Sequence, residues 1–121
     1  MRIYKEFYFD AAHFLPDAPD GHPNRRMHGH SFRVVIWLEG RPNPATGILR
    51  HFEDFERALM AVREELDHHM LNDIEGLEKP TLEHIAVWIW ERLKTPLPEI
   101  AQVEIHRASC REGCVYTGPE A

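Results

Sequence analysis

From Ile3 to His13, and again from His28 to Glu39, apolar residues recur at every second position. Successive side chains on a strand point to opposite faces, so a period of two predicts a strand with one buried face. In the first run Ile3, Phe7, Phe9 and Ala11 share that face, with Lys5 as the exception, and His13 is in phase with them. In the second run the even positions are His28, His30, Phe32, Val34, Ile36 and Leu38, while Ser31, Arg33 and Glu39 oppose them. Each apolar row therefore carries histidine at one end.

The stretch "LPDAPDGHPNRR" between the runs is loop, with three prolines, a glycine and aspartates. "GRPNPATG" reads as a turn, and strand character is expected to resume briefly at Ile48 and Leu49. From Glu53 to about Leu66 the period changes. Phe55, Leu59, Val62 and Leu66 follow helical spacing, with Glu53, Glu56, Arg57, Arg63 and Glu64 toward water. Thr81, after Pro80, is placed to cap a second helix running to Leu93, with Leu82, Ile85, Ile89 and Leu93 as its inner stripe. Gln102–Arg107 and Cys114–Thr117 read as two closing strands separated at Gly113. Strands and helices are grouped rather than alternating. The pattern predicts an α+β domain, an antiparallel four-stranded sheet with two helices packed on one face.

A chain of 121 residues suits one domain, taken as 1–121. The formal net charge of −6, without a Lys/Arg cluster denser than Arg25-Arg26, argues against a nucleic-acid partner. No apolar run approaches the roughly 20 residues that cross a membrane. The segment "MRIYKEFYFDAAH" lacks the apolar core of a signal peptide, so a cytoplasmic location is expected. Cys110 and Cys114 are then expected as free thiols.

Nine histidines are many for this length, and two of them form the His-x-His of "MHGHSF". Alternate residues on a strand project to one face, so His28 and His30 can aim at one ion. If the two strands pair antiparallel, His13 joins them. Three histidines with an open fourth position are the ligand set of a catalytic zinc site, although imidazole also suits iron, copper and nickel. The plain alternative is a hydrogen-bonded histidine pair at a loop–strand junction. Cys110 and Cys114 are a rival site, but Cys-x-x-x-Cys without a second pair is a poor zinc motif.

"FDAAH", "HGHSF", the following "TG", "LDHHMLND", "PTLEHIAVWIW" and the final "GCVY" occur in order along nearly the whole chain. Together they resemble the 6-pyruvoyl-tetrahydropterin synthase superfamily, and within it the 6-carboxytetrahydropterin synthases of the queuosine (7-deazaguanine) pathway. The resemblance implies the T-fold (tunnelling fold), whose subunits close their sheets around a channel, usually as a homohexamer. It implies zinc on His13, His28 and His30, and a small pterin-like substrate, 7,8-dihydroneopterin triphosphate. It also implies a carbon–oxygen lyase reaction in which a cysteine, assisted by an Asp-His pair, moves protons. That pair falls on Asp67 and His68. On the residues alone Asp67 is equally a helix-end residue and His68 a surface imidazole.

Three positions depart from the pattern. Asn24 stands where the family has its cysteine, and an amide cannot act as a thiolate base. His51 precedes Phe52 where an aspartate is usual. Arg107, or Ala108 with a one-residue gap, stands where a glutamate holds the pterin edge. A guanidinium prefers a carboxylate or phosphate to a donor edge. Arg107, Thr81 and His51 are the expected substrate-binding residues, and Asp67, His68 and Asn24 occupy the catalytic positions. The first expectation is a zinc-dependent enzyme of this family. The second is a zinc-binding T-fold protein without synthase activity, and the third a structural metal site in an unrelated interaction domain.

Overall fold

A computed structural model describes residues 1–120. Four strands and two helices follow in the order β1 (Arg2–His13), β2 (His28–Glu39), α1 (Phe52–Leu66), α2 (Leu82–Leu93), β3 (Ile100–Arg107) and β4 (Glu112–Tyr116). The strands form one antiparallel sheet in the order β1-β2-β3-β4. The two long alternating rows at the start of the chain pair with each other from Arg2↔Glu39 to His13↔His28. Their buried faces coincide. Phe7, Phe9, Phe32, Val34, Ile36 and Leu38 line one side of the sheet together with Val103 and Ile105. Phe9 and Phe32 stack with ring centroids 4.7 Å apart.

Both helices cover that side. α1 presents Phe55, Leu59, Val62 and Leu66, and carries Glu53 and Asp54 in its first turn, where they oppose the helix dipole favourably. α2 presents Leu82, Ile85, Ala86, Trp88, Ile89 and Leu93, and its Thr81 hydroxyl accepts from the His84 amide at 3.2 Å. The other side of the sheet is left uncovered by α1 and α2, with Tyr4, Tyr8 and Val115 more than half exposed and Val35 buried. On it the Glu104 carboxylate accepts from Trp37, from Gln102 at 3.1 Å and from His106 at 3.0 Å.

Three expectations need correction. No strand forms at Ile48–Leu49. The Asn43 carbonyl takes the amides of Thr46 and Gly47, Gly47 turns at φ +74°, and Asn43 bonds back to Ile48, so the backbone is used up in a local turn. β3 begins at Ile100 rather than Gln102, because a bulge at Trp37/Leu38 lets Ile100 pair with Leu38. Gly113 lies inside β4, opposite His106, rather than between strands. The reversal is made by the 3₁₀ turn Ala108–Cys110 and by Arg111 at φ +56°.

The outer edge of β1 is covered along its second half. Arg63 Nε donates to the Tyr8 carbonyl at 2.8 Å, and the Asp10 amide donates to Asp67 Oδ1 at 2.9 Å. The His68 amide reaches the Asp10 carbonyl at 2.7 Å, and the Ala12 amide reaches the His69 carbonyl at 3.2 Å. Among the described residues no helix is long and apolar enough to cross a membrane.

Candidate metal centre

The β1–β2 register sets His13 directly opposite His28, with His30 opposite Ala11. All three point to the helix side, where the alternation of each row ends. His13 is fully buried, and the three rings lie 4.6 to 5.1 Å apart, centroid to centroid. Their ligand atoms lie within 4.8 Å of one another. The Nε2 atoms of all three are buried and have no hydrogen-bond partner among the described residues. Buried polar atoms without partners are rare in native proteins and call for an explanation.

The other ring nitrogens supply it. His13 Nδ1 donates to the Pro80 carbonyl at 2.9 Å, and His28 Nδ1 to the Arg26 carbonyl at 2.7 Å. A carbonyl can only accept, so in neutral rings these contacts put the proton on Nδ1 and leave the Nε2 lone pair free. Burial pushes the His13 imidazole down to about 4; the Pro80 carbonyl opposes this, while His28, His30 and Arg107 add to it. His30 is lowered as well, first by burial and then by the Arg107 charge. Neutral imidazoles with converging lone pairs fit a divalent transition metal, and three such ligands leave a coordination position open.

The Asp67-His68 pair closes the C-terminus of α1. His68 adopts a left-handed backbone at φ +58°, which turns its side chain outward, 78% exposed. Its Nδ1 meets Asp67 Oδ2 at 2.9 Å, and Arg63 Nη2 meets the same oxygen at 3.2 Å. The Asp67 carboxyl is held below the usual range, first by the Asp10 amide and next by His68. His68 and His30 line one open cleft of about 580 Å³, along with Asp10, Ser31 and His69.

The remaining candidates are spread out. Asn24 lies in the 3₁₀ turn Pro23–Arg25, where its amide donates to His22 Nδ1 at 3.1 Å and its carbonyl accepts from Leu15 at 2.7 Å. Thr81 spends its hydroxyl on capping α2, next to the Pro80 carbonyl that holds His13. Arg107 is the last residue of β3 and continues the buried row of Val103 and Ile105, whereas Ala108 lies in the following turn and is exposed. His51 occupies the N-cap position of α1 without a side-chain capping bond. That is the far end of the sheet, a strand length of about 36 Å from the triad at about 3.3 Å per residue, so one chain does not bring His51 to the metal centre.

Sequence reasoning missed the two carbonyls that orient the histidines, since backbone atoms leave no residue-type signal. It also missed Arg63 as a partner of Asp67, although a helical i,i+4 pair is a readable cue.

The profile of 6-pyruvoyl tetrahydropterin synthase matches residues 2–119. The chain belongs to that family. Over 97% of this chain and 93% of its counterpart, it is 38% identical to the 6-carboxy-5,6,7,8-tetrahydropterin synthase of Synechocystis sp.. It is 36% identical to the dihydroneopterin monophosphate aldolase of Pyrococcus furiosus, over 93% and 90% of the two chains. The 6-pyruvoyl tetrahydropterin synthase of Caenorhabditis elegans superposes with a TM-score of 0.88 over 98% of this chain and 96% of that one, at 23% identity. The sheet and its two helices are thus the T-fold of the tetrahydropterin synthases, and the chain falls within a family of lyases acting on pterin-related substrates.

Proposed function

We propose that this tetrahydropterin synthase family member is a zinc-dependent lyase acting on dihydroneopterin triphosphate or a related small polar substrate. The reading rests above all on one observation, the three buried Nε2 atoms of His13, His28 and His30 that converge without partners. A zinc ion held there would polarise substrate oxygens and ease proton loss from the neighbouring carbon. Asp67 fixes His68 through Nδ1, which leaves His68 Nε2 facing the cleft as the group to accept or return that proton. Release of a phosphate-bearing group begins with such a transfer from carbon, whereas cleavage of the side chain, as the aldolase relative's name suggests, begins with loss of a hydroxyl proton and ends with return of a proton to the carbon left behind; the same pair serves both.

The protein works as a homohexamer in the cytoplasm in this reading, and queuosine biosynthesis is its place. The free first half of β1 and the outer edge of β4 are the strands available for closure between copies. Neither nucleic acid nor membrane enters as a partner.

A second reading is a metal-binding paralogue without synthase activity, and Asn24 favours it, because an amide at the cysteine position cannot relay a proton. One experiment separates the two. The zinc-loaded chain is incubated in deuterated buffer with 7,8-dihydroneopterin triphosphate, and separately with dihydroneopterin monophosphate. Mass spectrometry of product and recovered substrate follows. A new product, or deuterium in recovered substrate, upholds the lyase; unchanged substrate in both upholds the binder.

A further inference from the structure

The helix-facing row of β3 runs Val103, Ile105, Arg107. The first two are fully buried and the third has a side chain only 15% exposed. A guanidinium does not give up its proton in a protein, so this apolar row ends on a fixed positive charge. The β2–β3 ladder ends at Arg33↔His106, and its register continued by one residue sets Phe32 opposite Arg107, with His30 as the diagonal neighbour on the same face. Diagonal neighbours across a sheet lie about 7–8 Å apart. The Arg107 charge is felt at both His13 and His30, where it disfavours protonation.

Arg107 is only partly satisfied. Its Nη2 meets Glu112 at 2.9 Å, and that glutamate is itself 49% exposed. Its Nε is buried and has no acceptor among the described residues. A charged donor left in this state is costly, and an oxygen acceptor would relieve it. Charge points the same way. Three neutral imidazoles would leave a divalent ion with both its charges, Arg107 adds one more, and Glu112 offsets one. Such a site attracts an anion and disfavours a ring edge that offers N–H donors.

We propose that Arg107 sets the substrate class of the metal centre: a small molecule bearing an oxyanion, carboxylate or phosphate, that binds Arg107 while another of its oxygens faces the histidine triad. The oxyanion displaces Glu112 and takes Nε and Nη2 together, the two parallel donors of a guanidinium fork. Glu112 is thus the group that the oxyanion replaces on Arg107. This deepens the metal-centre reading and rests on it.

Inorganic phosphate and acetate are the probes. Elemental analysis of zinc-loaded protein comes first, and calorimetric titration of each anion follows. At least one anion is expected to bind, phosphate if the group is a phosphoryl and acetate if it is a carboxylate. Its affinity should fall tenfold or more in Arg107→Gln, recover in part in Arg107→Lys, and rise severalfold in Glu112→Gln, which removes the competitor and leaves Arg107 in place. Equal affinity in the native chain and Arg107→Gln, or no binding of either anion, overturns the proposal. If Arg107→Gln does not fold, an unchanged affinity in Glu112→Gln overturns it alone. A native chain that takes up no zinc fails the metal reading instead, and titration of that metal-free chain and its Glu112→Gln variant then decides Arg107 separately.

Discussion

His13 and His28 face each other across the β1–β2 ladder with ring centroids 4.6 Å apart, and each gives its Nδ1 to a backbone carbonyl outside the sheet. One carbonyl belongs to Pro80, just ahead of α2, and the other to Arg26, in the loop before β2. The pair therefore ties both flanking segments to the sheet end as well as aiming two lone pairs at one point.

The first expectation is one metal ion per chain, zinc by preference, in protein purified without a metal-affinity tag. His28→Ala with His30→Ala should abolish it, because the remaining imidazole cannot hold the ion alone. Elemental analysis reads the outcome, and stoichiometric zinc in the double variant contradicts the assignment.

Acid should weaken the metal-free protein earlier than its carboxylates alone would. Burial holds His13 at about 4, against 6.5 for an unperturbed histidine. As pH falls the unfolded chain takes the proton first, so the contribution is complete above about 6.5 and is lost progressively between about 6.5 and 4. A displacement of that size corresponds to roughly 3 kcal/mol. Urea denaturation of chelator-treated protein at pH 7.5 and 4.5 measures it, with His13→Asn as the comparison in which that part of the slope is gone. Equal pH slopes in the two proteins would sink the prediction.

Conversion of 7,8-dihydroneopterin triphosphate to 6-carboxytetrahydropterin should be weak. Asn24 offers no acid–base group, and losing a positioned one typically costs about 10²–10⁴ in rate. The Asn24→Cys, Arg107→Glu double variant should turn this substrate over faster than the native chain. Ordinary enzyme rates in the native chain would mean that another group carries the proton.

Gly113→Ala should destabilise the fold by about 1–3 kcal/mol, the usual range for overpacking. A Cβ there would stand 2.4 Å from His106 Nδ1. The ring is not free to move aside without giving up Glu104, which its Nε2 meets at 3.0 Å. Thermal denaturation with an unchanged midpoint would show that the ring shifts at no cost.

The sheet and the clustering of the three histidines were legible because period-two alternation fixes which residues share a face. Once His13 ended one row and His28 the other, antiparallel pairing brought them together. The helices were legible for the same reason, through Phe55, Leu59, Val62 and Leu66, and through Thr81 as a cap. Gly113 misled, since a glycine between short strands normally signals a turn; here it makes room for the His106 ring. Ile48 and Leu49 misled because two apolar residues are too few to outweigh the turn chemistry of Asn43 and Gly47. The expected catalytic and substrate-binding positions were legible only as residue types. Nothing in the spacing told that His51 would sit a strand length from the triad, or that the Arg107 guanidinium would be left half satisfied.

The row of contacts along the outer side of β1 has a consequence for how copies of this chain can meet. From the Tyr8 carbonyl to the Ala12 amide, the outward backbone groups are taken by Arg63, Asp67, His68 and His69. A foreign strand laid along β1 finds free donors and acceptors only near Arg2, Tyr4 and Glu6, and runs out of them at Tyr8. The dyad segment thus acts as a ruler. It would dictate the stagger of any strand docking on β1, and it would keep that strand off the cleft where His68 is displayed.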